Sequence, residues 1–270
     1  MMRVLIAGCG YVGSELARRL VTADHDVWGL RRTASGMPEG VRALAGDVTD
    51  PATLDLPGGM DTLVYAVSPG RRDETAYRAA YVDGLDHVLG ALPTPPARVL
   101  FVSSTAVYGQ EDGSVVDEDS ATEPSSFSGR VLLEAEARTH AAGGTVLRLA
   151  GIYGPDRTRL IDEVRAGEAT YPPGDVHTNR IHRDDCAGVL EHLLTLDAPA
   201  PTYVGVDDEP APRREVLTWL AERLDAPPPR ESPEPRSRGG DKRCSNARLR
   251  ASGYELRFPT YREGYAAMLA

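Results

Sequence analysis

Short apolar runs alternate with stretches of helical periodicity along the first 150 residues. The apolar run 4–7 ends at glycines, apolar residues at helical spacing follow it, and a second apolar run occupies 27–30. The same alternation predicts further strands and helices: strands at 61–67, 98–102 and 145–149, and helices at 73–91 and 131–142. Parallel strands joined by helices form right-handed crossovers. We therefore predict an α/β fold with a doubly wound parallel sheet, covered by helices on both faces.

The pattern becomes irregular after residue 150, where prolines and glycines interrupt it. A helix at 184–196 and a strand at 201–206 are still predicted, and we expect 184–206 to rejoin the core formed by 1–150. The remaining segments, 151–183 and 207–270, are expected to form a small C-terminal cap over the carboxyl ends of the strands, where such sheets bind ligands. The segment 109–126 is predicted to be a polar loop, and the proline-rich segment 226–240 an exposed loop or tether.

A glycine-rich turn follows the first predicted strand and opens the first predicted helix. At this place the first glycine allows a tight turn, the second lets backbone amides approach a pyrophosphate, and the third lets the helix pack closely on the strand. We therefore predict a Rossmann-type dinucleotide site, with a tight turn that holds no ligand as the alternative. The six residues of the turn are Gly8, Cys9, Gly10, Tyr11, Val12 and Gly13.

The residues after the second predicted strand determine which dinucleotide is preferred. An acidic residue there would hydrogen-bond the ribose of NAD, but here Leu30 is followed by Arg31 and Arg32. Two guanidinium groups attract the additional phosphate of NADP through charge-assisted hydrogen bonds. We predict NADP rather than NAD, with a solvated pair of loop arginines as the alternative.

Composition restricts the partners of this chain. Its 270 residues contain 30 lysines and arginines against 40 aspartates and glutamates, a formal net charge of −10, which argues against nucleic acid or an anionic membrane surface. No stretch approaches the ~20 apolar residues of a membrane helix. Cys9, Cys186 and Cys244 lie far apart and show no disulfide or metal-site spacing. We expect a cytoplasmic protein that binds a small molecule and no metal.

Five motifs in register resemble one known family. They are G-C-G-Y-V-G at 8–13, G-D-V-T-D at 46–50, V-S-S-T-A-V-Y-G at 102–109, R-L-A-G-I-Y-G-P at 148–155 and R-I-H-R-D-D at 180–185. In order and spacing the chain resembles the extended and atypical short-chain dehydrogenase/reductase superfamily of the NAD-dependent epimerase/dehydratase type. The resemblance extends to the C-terminal segments, so that it covers the whole chain.

The resemblance implies roles for further residues. Ser104 falls on the catalytic serine or threonine of the family, with a strand-end hydroxyl that caps a turn as the alternative. Three pairs are implied to contact the cofactor: Asp47 and Val48 at the adenine, Ala66 and Val67 at the ribose and phosphates, and Ala150 and Ile152 at the nicotinamide.

The chain departs from the family at the proton donor. The family uses a tyrosine followed four residues later by a lysine, and these positions fall on Phe127 and Val131 here. Phenylalanine cannot donate a proton, and valine offers neither charge nor hydrogen bond. Because Lys242 is the only lysine and position 238 is not tyrosine, no shifted Tyr-x-x-x-Lys pair exists in the sequence.

Three functions are compatible with this pattern. The first is an NADP-binding oxidoreductase-like enzyme for a small carbonyl or alcohol, with Ser104 orienting the oxygen and a proton relayed by water or a pocket tyrosine. The second is a non-catalytic NADP-dependent sensor or binding protein. The third is an enzyme whose acid comes from the cap or from a second subunit, and both monomer and homodimer are compatible with the sequence.

Overall fold

The structure is a computed structural model that describes residues 1–232 and 240–270. Within these residues the strands, in chain order, are β1 (Arg3–Ala7), β2 (Asp26–Arg31), β3 (Arg42–Ala45), β4 (Thr62–Tyr65), β5 (Arg98–Ser104), β6 (Ser114–Val116), β7 (Thr145–Leu149), β8 (Gly151–Tyr153), β9 (Thr170–Tyr171), β10 (His177–Thr178), β11 (Arg180–His182), β12 (Thr202–Gly205), β13 (Ala211–Pro212), β14 (Arg230–Glu231) and β15 (Lys242–Cys244). The α-helices are α1 (Tyr11–Thr22), α2 (Glu74–Arg78), α3 (Gly84–Ala91), α4 (Phe127–Ala141), α5 (Arg159–Arg165), α6 (Arg183–Thr195), α7 (Arg213–Leu224), α8 (Ala247–Ala251) and α9 (Tyr261–Leu269). A π-helical segment, Ala79–Asp83, joins α2 to α3, and short 3₁₀ turns occupy Pro51–Thr53 and Thr105–Val107.

Seven strands form one parallel sheet in the order β12-β7-β5-β4-β1-β2-β3. The order reverses at β1, which pairs with β2 on one side and with β4 on the other. The predicted doubly wound sheet is confirmed. Strand β3 was not predicted, because it lies at the edge of the sheet with mostly exposed residues and so has no continuous apolar run.

By their contacts the described residues divide into two units. The first comprises Met1–Val107, Pro124–Arg148 and Cys186–Tyr203, and the second Tyr108–Glu123, Leu149–Asp185 and Val204–Ala270. In the second unit, helices α5, α7 and α9 share a core that includes Ile161, Leu217 and Tyr261. No helix among the residues described is long and apolar enough to cross a membrane.

Two segments predicted as loops contain short strands. In the segment 109–126, β6 pairs in parallel with β15. In the segment 226–240, β14 pairs with β9, while residues 233–239 lie outside the described residues. Strands of two or three residues that are largely polar leave no periodic signal in a sequence.

Strand β15 contains the single lysine of the chain. Lys242 is 2% exposed, and its Nζ donates a hydrogen bond to the carbonyl oxygen of Tyr108 at 3.2 Å. Burial lowers the pKa of this ammonium group, because the charged form loses hydration. The lysine therefore lies inside the second unit rather than on its surface.

A buried ion pair links helix α4 to the sheet in the first unit. The Glu136 carboxylate accepts hydrogen bonds from Arg148 Nη2 at 2.7 Å and from Ser103 Oγ at 2.6 Å. All three residues are at most 6% exposed. Because each charge is paired and hydrogen-bonded, the pair fixes α4 against β5 and β7 without leaving a bare charge in the core.

The helix that follows β4 contains a π-helical segment that also forms a tertiary hydrogen bond. The hydroxyl of Tyr65 donates to the carbonyl oxygen of Ala80 at 2.5 Å, within the π-helical segment. A Cβ on Gly84 would lie 2.6 Å from the same hydroxyl, so that a glycine is needed here. The helix predicted at 73–91 is therefore present but carries a π-bulge, a feature that is frequent near functional sites.

Candidate dinucleotide and hydride-transfer site

The glycine-rich turn has the geometry that its sequence predicts. Gly8 has φ +86°, and a Cβ on it would lie 2.6 Å from the carbonyl carbon of Ala66 and from the amide nitrogen of Val67. A Cβ on Gly13 would lie 2.5 Å from the Gly8 carbonyl oxygen. These two glycines are required by the packing of the turn itself, and Ala66 and Val67 lie against it.

Gly10 differs from the other two glycines because the space beside it is open. It has φ −97°, and the nearest heavy atom to a Cβ on it is 3.9 Å away. The first amides of a helix have no acceptor within the helix, and α1 carries no acidic residue in its first turn. The turn thus presents an open, amide-rich helix start that fits the pyrophosphate of a dinucleotide.

The remaining residues of the turn differ in burial. Cys9 is fully buried, and burial raises the pKa of its thiol. Val12 is buried on the inner face of α1, and Tyr11, the first residue of α1, is half-buried. Cys9 is therefore a small apolar filler rather than a reactive thiol.

Arg31 and Arg32 lie at the end of β2, next to the turn along the sheet edge. The amides of Gly8 and Cys9 donate to the carbonyl oxygen of Leu30, which joins this strand end to the turn. Arg31 Nη1 is 3.4 Å from the Gly36 carbonyl oxygen, and exposed Arg32 extends toward the loop after β4. Among the described residues, no carboxylate forms a hydrogen bond or an ion pair with either guanidinium group.

Asp47 and Val48 follow β3. The Asp47 carboxylate accepts hydrogen bonds from the backbone N–H and the hydroxyl of Thr49, at 3.0 and 2.8 Å. Val48 is buried, and His87 Nδ1 donates to its carbonyl oxygen at 2.8 Å. These bonds fix the loop after β3 at the same sheet edge as the glycine-rich turn.

Ala150 and Ile152 belong to the second unit. The Ala150 amide donates to the Gly205 carbonyl oxygen at 3.0 Å, and Ile152 pairs with Ile181 in a two-stranded parallel ladder. Both residues are held by backbone hydrogen bonds. Their role at a nicotinamide stays a prediction.

Ser104 is the last residue of β5 and is half-buried. Its hydroxyl accepts a hydrogen bond from the Ala106 amide at 3.2 Å, so that it caps the turn after the strand. A Cβ on Gly129 would lie 2.5 Å from the Ala106 carbonyl oxygen, which places the first turn of α4 against this same turn. Ser104 and the start of α4 therefore lie close together in the first unit.

The two residues at the positions expected for tyrosine and lysine, Phe127 and Val131, are both apolar. Val131 is 3% exposed on α4. Phe127 is half-buried and meets the ring of Tyr77 edge-on, with 5.3 Å between ring centroids. Tyr77 in turn meets Tyr81 at 5.5 Å, and Tyr81 meets Phe101 of β5 at 6.1 Å. We call Tyr77, Tyr81 and Phe127 the aromatic cluster.

Tyr65, beside the cluster, and Tyr81, within it, are poor acids. Tyr65 is fully buried, bonded to the π-helical segment, and burial raises the pKa of its phenol. Burial and the neighbouring Tyr77 raise the pKa of Tyr81 to about 12. Tyr77 is half-buried and lies between Phe127 and Tyr81. Phe127 and Tyr81 therefore offer ring surfaces rather than a titrating phenol.

A separate group of buried polar side chains lies inside the second unit. The Tyr153 hydroxyl, Arg180 Nη1 and Asp207 Oδ2 are buried without a hydrogen-bond partner among the described residues. His182 packs between Phe258 and Tyr153, and burial lowers its pKa. This agrees with a structural role for the histidine. No group of three His, Cys, Asp or Glu in residues 1–232 and 240–270 is arranged to hold a metal ion.

Burial of Asp207 makes the stability of the protein depend on pH. Burial raises the pKa of its carboxyl from 3.8 to about 7, against the opposing effect of Arg180. A raised pKa means that the folded chain binds the proton more tightly than the unfolded chain. Protonation of Asp207 therefore makes its full contribution to the free energy of unfolding below about pH 4. This contribution, up to about 4 kcal/mol, is lost as the pH rises to about 7.

We expect Asp207→Asn to remove this dependence. The free energy of unfolding of the variant minus that of the wild type should increase as the pH rises from about 4 to 7, because only the wild type loses stability in this range; denaturant titration measures it. Asp197→Asn, at an exposed position after α6, is the matched control and should give a flat difference. A flat difference for Asp207→Asn as well would contradict the assignment.

Sequence reasoning missed three features of the first unit. They are the Glu136–Arg148 pair, the Tyr65–Ala80 bond and the aromatic cluster. Two weak signals were present: an arginine within the apolar strand 145–149 and a glycine, Gly84, within a predicted helix. A charged residue in a buried strand needs a buried partner, and a helical glycine often marks close packing.

A parallel sheet with a glycine-rich turn at its order reversal and polar residues at its carboxyl edge defines a nucleotide-binding α/β protein. Residues 4–201 match the family model described as NAD dependent epimerase/dehydratase family. The chain belongs to that family.

Two curated relatives cover most of this chain. Protein YeeZ of Escherichia coli K12 is 34% identical over 247 residues, covering 85% of this chain and 86% of its own. A Streptomyces protein named 3-diazoavenalumate denitrifying reductase is 31% identical over 301 residues, covering 97% and 99%. A Methylobacillus flagellatus structure described as an NAD-dependent epimerase/dehydratase has a TM-score of 0.84 at 43% identity, covering 99% and 97%.

More distant structures share the fold. A human epimerase family protein with NADPH has a TM-score of 0.77 at 22% identity, and the UDP-glucose 4-epimerase of Thermus thermophilus with NAD has 0.80 at 21%. Both cofactors are nicotinamide dinucleotides. At these identities the likeness supports the fold, and the cofactors are those of the two proteins named.

Proposed function

We propose that this protein is an NADP-dependent oxidoreductase that transfers hydride between the nicotinamide and a small molecule. One observation carries the proposal: the open, amide-rich start of α1 lies beside Arg31 and Arg32. Among the described residues, no carboxylate is paired with either arginine. The Streptomyces relative, which is named a reductase and matches almost the full length of both chains, supports reductive chemistry. Three buried cysteines without a disulfide suit a reducing cytoplasm.

Different residues of the first unit would bind different parts of the dinucleotide and the substrate. The glycine-rich turn would hold the pyrophosphate, Arg31 and Arg32 the additional phosphate, and Asp47 and Val48 the adenine. Ser104 would orient the reacting group of the substrate from the end of β5. When bound, the dinucleotide supplies the hydride, and the protein supplies position and exclusion of water.

A second candidate function is a non-catalytic NADP-dependent sensor. The absence of a Tyr-x-x-x-Lys pair favours it, since general-acid assistance contributes on the order of 10²–10⁴ to rates in such enzymes. The Ser104 hydroxyl, at the end of β5 and close to the start of α4, favours the enzyme. Turnover with a suitable hydride acceptor separates the two functions.

Calorimetric titration with NADP and with NAD tests the proposal. We expect NADP to bind at least about tenfold more tightly, because two guanidinium groups receive its additional phosphate. Arg31→Asp should reduce this preference by about 1–3 kcal/mol, the scale of a lost charge-assisted contact.

Arg165→Asp provides the control for this experiment. It makes the same change of charge on α5, where the arginine is exposed and 3.6 Å from Asp162, and should leave the preference unchanged. Equal affinities of the wild type for NADP and NAD, or tighter binding of NAD, would overturn the assignment of NADP.

A further inference from the structure

The aromatic cluster lies where a proton donor and its ammonium partner would be expected. Phe127 begins α4, whose first turn packs against the turn after Ser104, and Tyr77 and Tyr81 extend the cluster to Phe101 on the same strand. Phe127, Tyr77 and Tyr81 are all half-buried, so that ring surface remains accessible.

We propose that the hydride acceptor of this site is a cationic planar molecule, of the iminium or aryldiazonium class, rather than a neutral carbonyl compound. The inference rests on the proposed function, because it names the substrate class of that same site.

The first argument concerns the proton. Reduction of a carbonyl places negative charge on oxygen, and the developing alkoxide needs a proton donor within hydrogen-bond reach. Phe127 and Val131 supply none. The Ser104 hydroxyl, which accepts a hydrogen bond from the Ala106 amide, can still hydrogen-bond the reacting oxygen, but an alcohol is too weak an acid to deliver the proton near neutral pH. A cationic acceptor needs no donor, because its positive charge is cancelled by the hydride itself.

The step balances without a proton. For an iminium ion, a C–H bond forms at the electrophilic carbon with hydride from the reduced dinucleotide, and the π pair of the C=N bond moves to nitrogen. The acceptor is reduced to an amine, and NADPH is oxidised to NADP. For an aryldiazonium ion, the same hydride replaces the nitrogen group, which leaves as N₂ with the electron pair of the C–N bond.

The second argument concerns charge at the cluster. A lysine at position 131 would repel a cationic acceptor, but Val131 is apolar and buried. Of the neighbouring arginines, Arg78 is paired with the Glu134 carboxylate, which offsets its charge. Arg130 donates to the Ser125 carbonyl oxygen at 2.9 Å and is exposed, so that solvent screens its charge. Aromatic ring faces attract cations, so that the cluster favours a positive ligand.

Binding of a cation that cannot be reduced tests the inference apart from turnover. The probe is para-hydroxyphenyl trimethylammonium, and its neutral isostere is para-tert-butylphenol. Both are titrated by calorimetry into the protein saturated with NADPH. We expect the cation to bind at least about tenfold more tightly, the sum of modest contributions from two or three rings.

Variants of the cluster assign the preference to the rings. Tyr77→Leu and Phe127→Leu should each reduce the preference about threefold to tenfold while leaving NADPH affinity unchanged. The conservative Tyr77→Phe keeps the ring and should recover what Tyr77→Leu loses. Trp219→Leu, a change of an aromatic residue on α7 in the second unit, is the matched control and should have no effect.

Turnover provides an independent measurement. With saturating NADPH, an N-methylated dihydroisoquinolinium salt should be reduced with a kcat/KM at least about 100-fold above that of tetralone, its neutral ketone counterpart. The rate with the cation should be flat between about pH 6 and 8, because no protein group delivers a proton. The uncatalysed rate of each acceptor with NADPH is subtracted.

The outcomes separate the inference from the proposed function. If NADPH does not bind, both fail. If NADPH binds but the cation and its isostere bind equally, the inference fails and the proposed function stands. A pH-dependent reduction of tetralone that is lost in Tyr77→Phe would also overturn the inference, since it would identify the Tyr77 phenol as a proton donor.

Discussion

Gly10→Val is expected to abolish the thermal stabilisation that NADP gives to the protein. The open space beside Gly10 accommodates a side chain in the free protein, since the nearest atom to a Cβ is 3.9 Å away and φ is negative. The same side chain would occupy the place of the pyrophosphate and prevent its approach to the amides of α1. At a ligand concentration of about 100 Kd, about 2.7 kcal/mol of stabilisation would be lost.

Differential scanning fluorimetry with and without NADP measures this effect. Gly90→Val is the matched control, because Gly90 is exposed on α3 and no atom lies within 4 Å of its Cβ position. The control should keep its full response to NADP. If Gly10→Val responds to NADP like the wild type, the glycine-rich turn is not the binding site.

Glu136→Ala is expected to lower the free energy of unfolding by about 3–5 kcal/mol. The substitution leaves the Arg148 guanidinium, which is 6% exposed, without its carboxylate partner in the core, and an unpaired buried charge is costly. The Ser103 hydroxyl loses its acceptor as well. Urea denaturation monitored by circular dichroism measures the change.

Glu134→Ala is a stringent control for the buried pair. Glu134 lies two residues away on the same helix and also forms a bidentate pair, with Arg78, but on the surface. Its loss should cost at most about 1 kcal/mol. Equal losses in the two variants would show that the Glu136 pair does not act as a buried ion pair.

The sequence predicts those parts of the fold in which burial leaves a periodic pattern. Strands β1, β4 and β7 are buried on both faces and appear as short apolar runs. Strand β3 escapes prediction because it lies at an exposed edge. The π-bulge is not predicted for a different reason: its carbonyl at Ala80 is bonded by the hydroxyl of Tyr65, which lies outside the helix on β4.

The candidate site is predictable to the extent that backbone geometry requires particular residues. A Cβ at Gly8 or Gly13 would lie only 2.5–2.6 Å from neighbouring backbone atoms, so that only glycine fits at these positions. The glycines of the motif therefore predict the geometry of the turn. The sequence likewise shows that Phe127 and Val131 cannot act as donor and cation. It does not show that Tyr77 packs on Phe127, because side chains 50 positions apart meet only through the packing of two helices.

The position of Lys242 limits where amine-directed reagents can attach to the protein. It is the only lysine in the sequence, is 2% exposed and is hydrogen-bonded to Tyr108. Acylating reagents need an accessible, unprotonated amine, which the folded chain does not offer at Lys242. The rate at which Lys242 is acylated under native conditions therefore measures how often the β6–β15 ladder opens.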